Sequence, residues 1–261
     1  MEIPRFNVLG VSVSGMTLDA AVAAMLEAVR DHRKGYICVT GVHGITEAQN
    51  DPDFRRILNE SLLNTTDGMP LVWLGKLFVG SYVSRVYGPD LMLEFFAATQ
   101  HRDCRHFFYG GAPGVAEELK TRLEERFPGV TICGTYTPPF RPLDPEEAAE
   151  FLEVVRVRRP DIIWVGLSTP KQERFMAAYL PKLDTTLMVG VGAAFDFHSG
   201  RVRQAPRWIQ RSGFEWLYRL ATEPRRLARR YLVNNPLFLG RIALQLLRLR
   251  KYPLETPPPA A

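Results

Sequence analysis

Short apolar runs of strand length alternate with longer helical patterns over the first 200 residues, and few folds accommodate that rhythm. Residues 36–40, 105–109, 130–133, 161–165 and 186–191 are rich in β-branched, aromatic and apolar side chains. Helical stretches separate them: the Ala-rich 18–33, then 52–59 behind a candidate cap at Asp51, 90–100 behind Pro89, 115–127, 145–158 and 171–179. Such alternation predicts a mostly parallel sheet with helices on both faces, because each crossover must return over the sheet. The expected fold is α/β, a Rossmann-like three-layer sandwich, with ligands in the loops beyond the carboxyl ends of the strands.

The rhythm stops near Gly200, and the chemistry changes with it. Residues 1–200 hold 20 Lys/Arg and 25 Asp/Glu, whereas residues 201–251 hold 13 Lys/Arg against Glu215 and Glu223 alone. The net charge of +5 therefore comes from the end of the chain. Residues 205–251 read as helices only, split near Gly213, Pro224 and Pro236. The expected organisation is an α/β body at 1–200, a basic amphipathic helical appendage at 201–252 and a disordered Pro-rich tail at 253–261. Within 237–249, Arg241, Gln245 and Arg248 fall on one helix face and apolar residues fill the rest. That pattern fits an anionic membrane surface; packing on the body or on a second copy is the alternative. No apolar stretch reaches the roughly 20 residues that span a bilayer, and the first residues show no export signal pattern. Three cysteines without CxxC spacing suggest free thiols of a cytosolic protein, with Cys38 and Cys133 in the core and Cys104 among charged neighbours.

Four segments carry polar residues where strands meet helices. In Phe107-Phe-Tyr-Gly110-Gly111-Ala-Pro-Gly-Val115, glycines let backbone amides approach a phosphate, or simply make a tight turn. Asp67, before Gly68-Met-Pro, is either a base for a hydroxyl or an N-cap of the following helix. In Ser168-Thr-Pro-Lys171-Gln172-Glu173, Lys171 suits phosphate and Gln172 an amide or hydroxyl edge; an ordinary helix start explains the same residues. After Gly190-Val-Gly192, Asp196 can accept from ribose hydroxyls or fix the turn. His43 follows a strand end and lines the expected cleft. The other histidines, His32, His101, His106 and His198, have no metal-ligand spacing, and Asp51-Pro-Asp53 looks like capping. No GxGxxG, P-loop or GxSxG is present, which counts against a nicotinamide-dependent oxidoreductase. A nucleic-acid-binding or nucleotide-binding protein with a basic tail is the other class considered, but the acidic body opposes nucleic acid.

In order, Thr66-Asp-Gly-Met-Pro, Arg85-Val-Tyr-Gly-Pro-Asp-Leu, Phe108-Tyr-Gly-Gly-Ala-Pro-Gly-Val, Pro160-Asp-Ile-Ile-Trp-Val-Gly-Leu, Pro170-Lys-Gln-Glu, Gly190-Val-Gly-Ala-Ala-Phe-Asp-Phe, Arg203-Gln-Ala-Pro-Arg-Trp, Gly213-Phe-Glu-Trp-Leu-Tyr-Arg-Leu and Glu223-Pro-Arg-Arg-Leu resemble the bacterial WecG/TagA/CpsF family of glycosyltransferases, across roughly residues 7–232. The resemblance implies transfer of an N-acetylmannosamine-type sugar from a UDP-sugar donor to a glycan on a polyprenyl diphosphate, with inversion and no metal or other cofactor. It implies work at the cytoplasmic face of the cell membrane, in cell-surface polysaccharide synthesis. Asp67 falls on the catalytic aspartate, Thr40 on a threonine lining the same cleft, Arg85 on an arginine near the sugar or diphosphate, and Gln172 and Asp196 on nucleotide contacts. Arg219, Arg226 and Arg229 fall on appendage arginines that close over the diphosphate. Such closure leaves a homo-oligomer open, since the appendage can act in cis or in trans. Where many members carry asparagine shortly after the threonine, this chain reads Thr40-Gly-Val-His43, beside the expected donor pocket.

Overall fold

A computed structural model describes residues 3–254 of the chain. The expected disordered tail therefore lies outside the described residues from 255 onward. In chain order the elements are β1 (Arg5–Val8), β2 (Val11–Ser14), α1 (Leu18–Arg30), β3 (Gly35–Thr40), α2 (Val42–Glu47), α3 (Pro52–Glu60), β4 (Leu63–Thr66), α4 (Met69–Phe78), α5 (Gly88–Thr99), β5 (Arg105–Gly110), α6 (Val115–Arg126) and β6 (Thr131–Tyr136). They continue with α7 (Pro145–Arg158), β7 (Ile162–Gly166), α8 (Lys171–Tyr179), β8 (Leu187–Gly190), α9 (Ala194–His198), α10 (Arg207–Ser212), α11 (Glu215–Thr222) and α12 (Pro224–Leu246). A six-stranded sheet runs in the order β4-β3-β8-β7-β5-β6. The pairs β3/β8, β8/β7, β7/β5 and β5/β6 are parallel, as the alternation predicts. The chain is an α/β fold with a long C-terminal helix.

Two compact units emerge, one made of Leu18–Cys38 with Gly88–Arg203, the other of Met1–Thr17, Val39–Tyr87 and Gln204–Ala261. In the first, β5 shows how the pleat distributes the core. His106 and Phe108 pack toward Phe96, Trp164 and Phe195, under α5 and α9. Phe107 and Tyr109, on the opposite face, meet Phe151 and Phe175 of α7 and α8. Successive strand residues point to opposite faces, so a run of aromatics fills both layers. Helix α7 starts at a full capping box, with Asp144 accepting from the amides of Glu146 and Glu147 and Glu147 returning to Asp144.

The second unit opens with an antiparallel β1/β2 hairpin whose two turn residues, Leu9 and Gly10, have φ of 53° and 80°, the left-handed pair that a tight hairpin turn requires. The Asp51 side chain caps α3 by accepting from the Phe54 amide, as the sequence predicts. Strand β4 is wholly buried although it reads Leu-Asn-Thr-Thr. Most of its polar side-chain groups bond to neighbouring backbone: Asn64 Nδ2 donates to the Ser12 carbonyl at 3.1 Å, Thr65 Oγ1 to the Val86 carbonyl at 3.3 Å and Thr66 Oγ1 to the Ser84 carbonyl at 2.8 Å, while Asn64 Oδ1 is buried without a hydrogen bond.

The structure corrects two expectations. Pro236 does not split the C-terminal helix; α12 runs through it for 23 residues. Proline removes one helical hydrogen bond, and the turns on either side are pinned to the body. Asn234 Nδ2 lies 2.7 Å from His43 Nδ1, while Phe238 and Ile242 are buried. Two of its polar residues, Gln245 and Arg241, reach the body, while Arg248, past the end of α12, is exposed. Gln245 accepts from the Leu9 amide at 2.8 Å and donates to the Asn7 carbonyl at 2.9 Å, and Arg241 reaches Asn50 at 3.5 Å. Finally, Cys104 is buried and Cys133 only half-buried. Cys104 enters β5 with its side chain inward, whereas Cys133 sits on β6 at the edge of the sheet.

Candidate active site

Asp67 leaves the end of β4 beside the end of β3, its amide donating to the Thr40 carbonyl at 3.0 Å. It is not a cap. The N-cap of α4 is Gly68, and no side chain caps that helix. The carboxylate therefore does not cap the helix that it precedes. Its side chain is 30% exposed, yet Oδ1 is fully enclosed and has no hydrogen-bond partner. Thr40 Oγ1 is likewise buried without a partner. Two unsatisfied oxygens at neighbouring strand ends are costly in a folded protein unless something else meets them.

Arg85 is the cation of this cluster. Its Nη2 lies 3.8 Å from Asp67 Oδ1, its Nε donates to the Asp67 backbone carbonyl, and its Nη1 pairs with Glu215 Oε2 at 2.7 Å. The guanidinium stacks 3.9 Å from the centre of the Tyr87 ring. Tyr87 in turn donates its hydroxyl to Glu215 Oε1 at 2.8 Å. Burial raises the Asp67 carboxyl above the ordinary value of 3.8, Glu215 adds to the rise, and Arg85, Arg219 and Arg230 oppose it. A raised carboxyl that still faces a cation suits an acceptor of a proton. Burial works against the charge of Arg85, but Asp67 and Glu215 outweigh it and hold the guanidinium protonated.

Among the other predicted residues of this unit, His43 stands in the first turn of α2, bonded to Asn234 and 3.5 Å from Glu47. Arg219 lies on α11, 3.9 Å from Glu223 and mostly covered. Arg229 is exposed on α12, and the Arg226 side chain falls outside the described residues.

The other unit gathers its own set of loops. Gly110 ends β5 opposite Gly166 at the end of β7, with φ of 116°, and a side chain there would begin 2.7 Å from the Gly166 carbonyl oxygen. Gly111 donates its amide to that same carbonyl at 3.0 Å. Gln172 is buried in the first turn of α8. Its Nε2 donates to Glu173 Oε1 at 3.0 Å, and its Oε1 is enclosed without a partner. That oxygen faces the strand-end glycines of β8: a Cβ on Gly192 would lie 3.5 Å from it, and one on Gly190 would lie 2.9 Å from Nε2. Lys171 is exposed at the start of α8, and Asp196 is half-buried in the first turn of α9. The described residues contain no group of three or more His, Cys, Asp or Glu arranged to hold a metal.

Sequence reasoning missed Tyr87 and Glu215 as members of the Asp67 cluster. The signal for Glu215 was present: it is one of two acids among thirteen cations in 201–251. Nothing local announces its partner, 130 residues upstream in Arg85.

A family model described as the glycosyl transferase WecG/TagA/CpsF family matches residues 6–252. A relative from Bacillus spizizenii is 32% identical over 200 residues, covering 76% of this chain and 76% of its own length. One from Bacillus subtilis is 28% identical over 182 residues, covering 70% and 69%. Both bear the name N-acetylglucosaminyldiphosphoundecaprenol N-acetyl-beta-D-mannosaminyltransferase. With a family match that runs almost end to end, this chain belongs to the WecG/TagA/CpsF family of glycosyltransferases.

Proposed function

We propose that the chain transfers N-acetylmannosamine from a UDP-sugar to N-acetylglucosamine carried on undecaprenyl diphosphate, inverting the anomeric carbon, with Asp67 as the base. The name of both relatives supports the acceptor and the sugar. The observation that carries the mechanism is the enclosed Asp67 Oδ1, which has no hydrogen-bond partner and stands 3.8 Å from a guanidinium. Asp67 takes the proton of the acceptor hydroxyl as its oxygen attacks the anomeric carbon; the bond to the diphosphate breaks on the opposite face, and UDP leaves with the electron pair. Negative charge grows on the leaving group, and guanidinium groups stabilise it best through paired donors. Arg85, Arg219, Arg226 and Arg229 are the residues for that role. Thr40 offers its hydroxyl to the sugar, and His43 borders the same loop. For the nucleotide, Gly110, Gly111 and Gly192 supply positions without side chains, and Lys171, Gln172 and Asp196 supply polar groups.

The C-terminal helices at 201–252 serve as a membrane contact and a cover for this chemistry, beside the catalytic body at 1–200. The outer face of α12 and the turn after it leave Leu239, Leu247 and Leu249 at 62%, 68% and 71% exposure. Arg248, Arg250 and Lys251 are exposed nearby. Apolar side chains flanked by cations suit the headgroup boundary of an anionic leaflet, at the inner face of the cell membrane. No helix of the described residues is long and apolar enough to cross a membrane.

The test is a transfer assay with undecaprenyl-diphosphate-linked N-acetylglucosamine and a panel of UDP-sugars, read by mass spectrometry of the lipid product. One added N-acetylmannosamine from its UDP donor is the predicted result. No product from that donor, with product from another, would overturn the sugar assignment. In flotation with anionic vesicles, removing residues 225–261 should release the protein; unchanged flotation would refute the membrane role of the helix.

A further inference from the structure

We infer that Glu215, in the first turn of α11, is a positioning residue for Asp67: it takes the short contact of the Arg85 guanidinium and thereby leaves the Asp67 carboxylate free to accept a proton. The inference rests on the assignment of Asp67 as base.

A guanidinium set between two carboxylates can bind both closely or favour one. Here Arg85 Nη1 stands 2.7 Å from Glu215 Oε2, whereas Nη2 stands 3.8 Å from Asp67 Oδ1, outside hydrogen-bond range. A two-pronged Arg–Asp pair would occupy the aspartate lone pairs and favour its ionised form, making it a weaker base. Glu215 prevents that pairing, and the arrangement around it is fixed. Its other oxygen accepts from Tyr87, whose ring lies against the same guanidinium. Arg85 is further held by its bonds to the backbone carbonyls of Asp67 and Gln210. Glu215 itself is buried, so its charge has little water to disperse it.

The charged groups that act on Asp67 come from three places: Arg85 from the segment before α5, Glu215 and Arg219 from α11, and Arg230 from α12. The titratable groups of α2, His43 and Glu47, face each other at 3.5 Å. Of these groups, Glu215 raises the Asp67 carboxyl while the three arginines lower it. Removing its charge acts twice in one direction: the repulsion disappears, and Arg85 is released toward Asp67.

The measurement is a 13C NMR titration of the Asp67 side-chain carboxyl in the full chain, assigned by the signal lost in Asp67→Asn. In Glu215→Gln we expect the midpoint to fall by at least half a unit, about a threefold loss of proton affinity. The acid limb of kcat should move with it. Glu215→Asp should restore part of the shift, and Tyr87→Phe should move the midpoint down less. An unchanged midpoint in folded Glu215→Gln overturns the inference. Should that variant lose its circular dichroism spectrum, Tyr87→Phe decides, and an unmoved midpoint there overturns it equally. The base assignment is read separately: an Asp67→Asn enzyme with normal turnover refutes it, and with it the role given to Glu215, even where the titration shifts.

Discussion

Replacing His106 with phenylalanine should make the protein less stable at neutral pH and yet less sensitive to acid. The imidazole is fully buried, 4.2 Å centre to centre from Phe96 and parallel to Trp164. Trp164 Nε1 donates to its Nδ1 at 3.1 Å, so its Nε2 carries the proton that faces Thr99 Oγ1 at 3.0 Å. Both nitrogens are spoken for in the neutral form, and burial pushes the group down from 6.5 to about 3. The unfolded chain takes up a proton below pH 6.5 that the folded chain refuses until about pH 3. Stability from this residue is therefore intact above pH 6.5 and falls by about 1.4 kcal/mol per pH unit below it. At pH 5 the loss amounts to about 2 kcal/mol. Phenylalanine keeps the stacked ring but leaves the Trp164 N–H buried without an acceptor, a cost of about 1–3 kcal/mol. Thr99 keeps its bond to the Phe95 carbonyl. Urea unfolding at pH 7.5 and pH 5 should show the wild type ahead at the higher pH, with the gap narrowed by about 2 kcal/mol at the lower. An equal gap at both values would refute the reasoning, because groups common to both proteins cancel in the difference.

Two further substitutions probe the elements that frame the site. Gly110→Ala must place a Cβ 2.7 Å from the Gly166 carbonyl oxygen at a φ of 116°; it should cost about 1–3 kcal/mol and weaken UDP binding in calorimetry. Gly240→Ala, in open space on α12, should instead stabilise by about 0.5–1 kcal/mol, and a matching loss there would contradict the distinction. Gln245→Ala strips partners from the Leu9 amide and the Asn7 carbonyl. Hydrogen exchange at Leu9 should quicken, and unchanged protection would show that α12 is not what holds the hairpin turn.

The sheet was legible because its strands are apolar runs bounded by turn residues, and helices α3, α6, α7 and α8 because their starts carry Pro, Asp or Glu. Strand β4 was not, since Leu63-Asn64-Thr65-Thr66 looks like a loop until its hydrogen bonds to Ser12, Ser84 and Val86 are seen. Hairpin β1/β2 was missed for a similar reason: four-residue strands give too short an alternation to read. Pro236 misled because a local rule about proline ignores tertiary anchors on both sides. Candidate site residues were chosen where unusual polar residues met strand ends, and the ordered motifs chose among the readings that local chemistry left open. That choice also set aside the nicotinamide and nucleic-acid readings. The environment of Asp67 stayed hidden, because Arg85, Tyr87 and Glu215 meet only through long-range packing.

The central claim is that Asp67 is the base of the transfer. Asp67→Asn preserves the size of the side chain and removes its ability to take a proton. Turnover should fall by at least a hundredfold, within the range expected of positioned acid–base groups, while the circular dichroism spectrum and the affinity for UDP by calorimetry stay as in the wild type. Near-normal turnover in that variant would contradict the account.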